Sequence, residues 1–149
     1  MNLQVLRLPH ARDLPLPTYA TEGSAGLDLL AAIEGEIRLA PGARAAIPCG
    51  IAIAMSDKYE AQVRPRSGLA LNHGVTLLNA PGTIDSDYRG EIKAILINHG
   101  EQVFTVTRGM KIAQLIIARI KHATIEEKDE LPATVRGEGG FGSTGERPS

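Results

Sequence analysis

The segment EIRLAPGARAAIPCGIAIAM, residues 36–55, decides the architecture. Three short runs, 36–39, 43–47 and 51–55, are parted by Pro41-Gly42 and by Pro48 and Gly50. In Glu36-Ile37-Arg38-Leu39 polar and apolar residues alternate, the period of a strand with one face on a core. No run reaches the ten or so residues that an amphipathic helix needs, and Pro and Gly at the joints mark turns. The segment predicts consecutive short strands joined by tight turns.

The same pattern continues in both directions. Before it, 3–8 and 26–31 read as strands; after it, so do 61–64, 75–78, 91–98, 102–106, 112–120 and 123–127. Turn signals fall between them at His73-Gly74, Pro81-Gly82 and His99-Gly100. A short helix is expected over 67–71. Many short strands at this spacing predict an all-β sandwich or barrel rather than alternating strands and helices. The run 112–120 is too continuously apolar for a half-exposed strand. It is expected to be buried on both faces, in the domain core or between subunits.

With 149 residues the chain has the length of one domain. Hydrophobic residues make up 43% but aromatics only 3%, so Ile, Leu, Val and Ala must build the core. A formal net charge of -1 lacks the excess of Lys and Arg that binds polyanions, and no polymeric nucleic acid partner is expected. Cys49 is the single cysteine, which excludes an intrachain disulfide and a cysteine metal site; it is expected to pack in a strand as a small residue. Residues 1–10 alternate in polarity and contain Pro9, unlike a signal peptide or membrane anchor, so a cytoplasmic location is expected. The four histidines show no ligand spacing and are expected at the surface.

Composition changes after Leu131-Pro132, dividing the chain into a β domain, 1–132, and an arm, 133–149. Between Arg136 and Gly145 stand five glycines (137, 139, 140, 142 and 145) and one large apolar residue, Phe141. Such a segment cannot bury enough surface to fold alone and is expected to be mobile until it binds something. Glycines, Gly142 among them, let backbone N–H groups approach phosphate; Arg136 offers a forked cation, and Ser143 and Thr144 offer hydroxyls. Phe141, with no core to join, can stack on a base. The arm reads as a nucleotide lid.

Four further stretches hold polar residues that bear on a phosphate or metal site. Arg66, Ser67 and Gly68 stand where a strand enters the short helix, and helix-start N–H groups with Arg and Ser suit an anion. The same residues also suit a simple Ser67 cap beside a surface Arg66. In 78–91, read as a hairpin, Asp85, Asp87, Arg89 and Glu91 alternate and would share one face of an extended backbone. Repeated carboxylates serve as base or metal ligand, and equally as turn residues on a solvated face. Asp28 lies between Leu27 and Leu29, on the opposite face from both. Gln114 is the polar exception in its apolar run, and buried it needs partners. No P-loop and no nucleophile elbow is present.

Taken in order, AGLDLL (25–30), PRSGLA (65–70), LNAPGTIDSDYRGE (78–91), GMKIAQL (109–115) and RGEGGFGSTG (136–145) resemble the five motifs of the trimeric dUTPase family. The resemblance runs over nearly the whole chain, and the third and fifth segments match almost letter for letter. Leu27, where the family often has an aromatic, and Lys111, where Arg is common, depart from the pattern at positions not expected to carry the chemistry.

The resemblance implies a jelly-roll-like β domain in a homotrimer, with active sites shared between subunits and one subunit's arm closing over another's pocket. It implies hydrolysis of dUTP to dUMP and diphosphate with Mg2+, which keeps uracil out of DNA and supplies dUMP for thymidylate synthesis. Asp85 would be the base that drives water onto the α-phosphorus. Asp28 would reach the metal through water, as an outer-sphere partner. Arg66, Ser67, Gly68 and Gln114 would hold phosphates. Main-chain groups between Asn79 and Ile84, Thr83 included, would read uracil, and Tyr88 would pack under the deoxyribose with Lys93 close by. In the arm Arg136 would meet the γ-phosphate, Phe141 the base, and Gly142, Ser143 and Thr144 the phosphates. Two rival readings are a dCTP deaminase-type relative, which the intact GTIDSDYRGE segment disfavours, and a non-catalytic nucleotide-binding regulatory trimer, which Asp85 and the arm disfavour.

Overall fold

The computed structural model describes residues 1–148. Among them are eleven strands: β1 Gln4–Arg7, β2 Leu27–Leu30, β3 Glu36–Leu39, β4 Arg44–Pro48, β5 Ile51–Ala54, β6 Tyr59–Arg64, β7 Val75–Leu77, β8 Gly82–Ile84, β9 Lys93–Asn98, β10 Phe104–Thr107 and β11 Lys111–Arg119. One α-helix, α1 Ser67–His73, and one 3-10 turn, Pro9–Ala11, complete the regular structure. Every strand pairing is antiparallel. The strands form a four-stranded sheet β2-β11-β6-β8, a three-stranded sheet β4-β9-β7, and the pairs β1-β5 and β10-β3. The expected all-β architecture with a single short helix is what forms.

In several strands alternation sends one face inward. Leu27 and Leu29 of β2, Val75 and Leu77 of β7, and Phe104 and Val106 of β10 are buried while their neighbours are not. They join Ile47, Ile53, Val63, Leu96 and Leu115 in one continuous core drawn from all four sheets. Aliphatic side chains dominate it, as the scarcity of aromatics requires, and each contributes roughly 1.5–3 kcal/mol on burial. β11 fulfils the expectation of double burial in its first half. Ile112, Ala113 and Leu115 are buried from a central position in the four-stranded sheet, whereas Ile116, Ile117 and Ala118 stay half-exposed.

Four local differences from the expected pattern have physical causes. Residues 123–127 form no strand: Ile120 N–H donates to the Lys58 carbonyl at 3.0 Å, and beyond it the backbone bonds only locally, leaving Ile125 89% exposed. A strand sequence without a neighbouring ladder stays unpaired. Conversely, β8 forms within a run of turn residues because β6 offers it an edge. The strand expected over 91–98 begins at Lys93. Cys49 packs in the β4–β5 turn, not in a strand, and burial pushes its thiol up to about 12, which makes it unreactive. That turn needs Gly50, whose φ is 73° and whose missing Cβ would overlap the methyl of Ala11.

Asn98, at the end of β9, is the one fully buried polar residue among the described residues. Its amide nitrogen donates to the carbonyls of Leu39 (2.9 Å) and Gln102 (2.7 Å), and its oxygen accepts from Gly100 N–H (2.8 Å). It therefore satisfies the backbone of two turns at once. Asn98→Leu strands these buried groups and should lower the unfolding free energy by about 2–5 kcal/mol in a urea titration; an unchanged midpoint would contradict the bonding described.

Candidate active site

The four-stranded sheet gathers residues that lie far apart in the chain. Within it Gln114 of β11 stands opposite Asp28 of β2 on one side and Arg64 of β6 on the other. β6 then runs through Pro65 and Arg66 into α1, which carries Ser67 and Gly68 to the same end of the sheet. The Gln114 amide donates to the Pro65 carbonyl at 3.0 Å, tying β11 to this entry. Across from it Gly26 has no side chain, and a Cβ there would overlap Gln114 Oε1. The buried face of β2 holds Leu27 and Leu29, so Asp28 faces the other way, as expected.

These residues line an open pocket of about 350 Å³, bounded by Ala20, Ser24, Ala25, Gly26, Asp28, Arg66, Ser67, Gly68 and Gln114. The Asp28 side chain, 17% exposed, lies 2.9 Å from Lys111 Nζ and 3.9 Å from Arg66 Nε. Arg66 Nη1 donates to the Lys111 carbonyl at 3.3 Å. Two cations thus share one carboxylate, and the surplus positive charge with accessible donors suits an anionic group. Arg66 adopts an extended conformation as N-cap and no side chain caps the helix, so Ser67 is not the cap. Its hydroxyl, like the first N–H groups of the helix, is left for the pocket. Lys111, one of the two departures from the family pattern, touches the Asp28 carboxylate. The β11–β2 register shifts between Lys111 and Ala113, an irregularity that spacing could not reveal.

Among the described residues no group of three His, Cys, Asp or Glu could cage a metal ion. Asp28 is the pocket's single carboxylate and already faces two cations. One carboxylate beside two cations can serve a hydrated divalent ion only as one partner among ligands brought from elsewhere.

Asp85 lies elsewhere. β8 pairs antiparallel with β6, Gly82 opposite Val63 and Ile84 opposite Ala61, so each residue along β8 moves away from the β6–α1 junction. Asp85, exposed just past that pairing, is separated from Arg66 by a path on the order of 20 Å along the sheet. After it the chain turns through Ser86 and Asp87, with Tyr88 N–H donating to the Asp85 carbonyl at 3.1 Å. The expected shared face of Asp85, Asp87, Arg89 and Glu91 is therefore not formed. Arg89 donates to the Ser86 carbonyl at 2.7 Å and holds the turn. Asn79 stands before the cis Ala80–Pro81 bond, its amide 3.0 Å from where a Gly82 Cβ would be; Thr83 and Ile84 continue β8. Lys93 is exposed at the start of β9, in the other large sheet.

Among the described residues the C-terminal arm makes no hydrogen bond to either group. Arg136 Nε donates to the Gly139 carbonyl at 2.6 Å, and Gly139, Ser143 and Gly145 N–H groups donate to carbonyls three residues back. Phe141 is fully exposed with φ 50° beside Gly142, and Ser143 and Thr144 are exposed with it. One chain thus unites Asp28, Arg66, Ser67, Gly68 and Gln114, but leaves the Asp85–Tyr88 segment, Lys93 and the arm apart from them. Sequence reasoning missed the contact of Lys111 with Asp28, because the two residues are distant in the chain.

A family model described as dUTPase matches residues 12–145. A deoxyuridine 5'-triphosphate nucleotidohydrolase of Rhizobium rhizogenes is 54% identical over 146 residues, covering 97% of this chain and 94% of that protein. The chain belongs to the dUTPase family. Its fold agrees with solved dUTPases. A mutant dUTPase of Staphylococcus bacteriophage 80alpha, solved with dUpNHpp, superposes with a TM-score of 0.87 at 23% identity, covering 97% of this chain and 98% of that one. A mutant dUTPase from phage phi11 of S. aureus, described with a structural Mg(II) ion, gives 0.78 at 20% identity over 87% and 98%. Within this single chain the Asp28 pocket and Asp85 lie apart, at opposite ends of the β6–β8 ladder.

Proposed function

We propose that this protein hydrolyses dUTP to dUMP and diphosphate in sites completed by neighbouring copies of the same chain, assembled as a homotrimer. The observation that carries the reading is the division just described: an anion pocket without a free base, and an exposed base without an anion pocket. An assembly that sets Asp85 of one chain against the Asp28 pocket of another supplies both. The half-exposed end of β11 and the exposed Ile125 supply apolar surface for such contacts. The β domain, 1–132, forms the body, and the arm, 133–149, closes the site of a neighbour. No helix among the described residues is long and apolar enough to cross a membrane, and we place the enzyme in the cytoplasm.

In this mechanism Arg66, Ser67, Gly68 and Gln114 hold the triphosphate and fix the α-phosphorus. Asp85 orients a water in line and takes its proton as oxygen bonds to phosphorus. The bond from that phosphorus to the bridging oxygen breaks, and diphosphate leaves with the electron pair. Mg2+, when bound to the phosphates and through water to Asp28, would offset charge on the leaving group. Main-chain groups from Asn79 to Ile84, including Thr83, read the uracil edge, where a mismatched base leaves polar groups unpaired at about 1–3 kcal/mol each. Tyr88 packs under the deoxyribose near Lys93 and leaves no room for a 2′-hydroxyl. The arm adds Arg136 to the γ-phosphate, Phe141 to the base, and Gly142, Ser143 and Thr144 to the phosphates. Its lack of hydrogen bonds to its own body, among the described residues, leaves it available for a neighbour.

The deciding experiment measures diphosphate release from dUTP, dTTP, dCTP and UTP, with and without a chelator. Release from dUTP alone, lost on chelation, is expected; equal cleavage of all four, or none, would sink the reading. Asp85→Asn should lower kcat by roughly 10²–10⁴-fold while a non-hydrolysable dUTP analogue still binds, and near-normal turnover would remove Asp85 as the base. Deleting residues 136–149 should leave the melting transition in place and abolish most turnover; full activity without them would contradict a closing arm.

A further inference from the structure

We infer that His10 is a positioning residue for sugar recognition, its imidazole holding the Glu91 carboxylate and thereby the turn that sets Tyr88. His10 Nε2 lies 2.8 Å from Glu91 Oε2, although the two are far apart in sequence, and the Glu91 side chain is only 16% exposed. A carboxylate so nearly buried gains from a fixed donor. Glu91 also accepts, through its backbone carbonyl, the Tyr88 hydroxyl at 3.1 Å. The Tyr88 ring lies against Gly90, where any Cβ would overlap it. Orientation of the tyrosine therefore depends on where residues 90 and 91 are held.

Glu91 is gripped on both sides. Its C-terminal neighbour Ile92 exchanges backbone bonds with the β4–β5 turn, accepting from Cys49 N–H at 2.9 Å and donating to the Ile51 carbonyl at 2.8 Å. His10 reaches Glu91 from a turn fixed independently. Leu8 N–H donates to the Gly50 carbonyl at 2.8 Å, and the His10 carbonyl accepts from Arg108 Nη2 at 2.7 Å while Arg108 pairs with Asp13. Because backbone and Arg108 hold that turn, replacing the His10 side chain removes the imidazole–carboxylate contact and little else. The chain Asp13–Arg108–His10–Glu91–Tyr88 links the N-terminal segment to the residue proposed to exclude a 2′-hydroxyl.

The inference rests on the proposed placement of Tyr88 under deoxyribose, and the test separates the two. Steady-state constants for dUTP and UTP, with thermal midpoints, are compared for the unaltered protein, Tyr88→Ala, His10→Ala and His10→Gln. His10→Ala should raise KM for dUTP about three- to tenfold with kcat within about twofold, and lower the preference for dUTP over UTP by a similar factor. His10→Gln, which can still donate to Glu91, should recover most of both. An unaltered protein that does not discriminate dUTP from UTP, or a Tyr88→Ala variant that still does, would show that the reading of Tyr88 fails. If Tyr88→Ala loses discrimination while His10→Ala keeps KM and preference unchanged, the inference about His10 is overturned. A loss confined to thermal stability or to kcat overturns it too, since it marks a merely structural contact.

Discussion

The contact between the Gln114 side chain and the Pro65 carbonyl carries the organisation of the site. Gln114 occupies the middle of β11 with Asp28 and Arg64 at the same register on either side. A polar side chain there, in a strand otherwise apolar, must find a partner or cost a desolvated amide. It finds one where β6 ends and the helix begins, which fixes the angle at which Arg66, Ser67 and Gly68 enter the pocket. The absence of a side chain at Gly26 makes room for this arrangement. Removing either feature would leave the strands paired and the pocket misassembled.

Antiparallel pairing underlies the proposed division of labour between copies. Since β8 runs opposite to β6, the residues that follow β8 are carried away from the helix entry, and the proposed base emerges at the far end of the shared ladder. No rotamer choice closes a gap of that order, so the chemistry proposed requires a second chain. The proposed Mg2+ would follow a similar logic: a lone carboxylate already facing Lys111 and Arg66 is no cage, and the triphosphate would bring most of the ligands. In the proposed assembly an isolated chain offers the substrate no complete site.

The ordinary strands were legible wherever turn chemistry and alternation agreed, as in Glu36–Leu39 and the run from Arg44 to Ala54. Legibility failed where a neighbour decides the outcome. Residues 123–127 have strand composition and no ladder to join, while Gly82–Ile84 have turn composition and an edge that accepts them. The carboxylates at 85, 87 and 91 alternate in sequence, yet a turn at Ser86 and Asp87 breaks the face they would have shared. Lys111 and His10 carried no local signal, because an ion pair is defined by distance in space and their carboxylate partners are Asp28 and Glu91.

By itself the sequence determined the all-β class and the aliphatic core, because both follow from residue type and short-range periodicity, whereas the residues of the anion pocket were singled out by their resemblance to the dUTPase motifs. Tertiary structure alone decided which of those residues meet. Strand register brought Asp28, Arg66 and Gln114 together, kept Asp85 apart, and set His10 against Glu91. Register is a property of paired backbones, fixed by which apolar face reaches the core, and one strand read in isolation does not contain it.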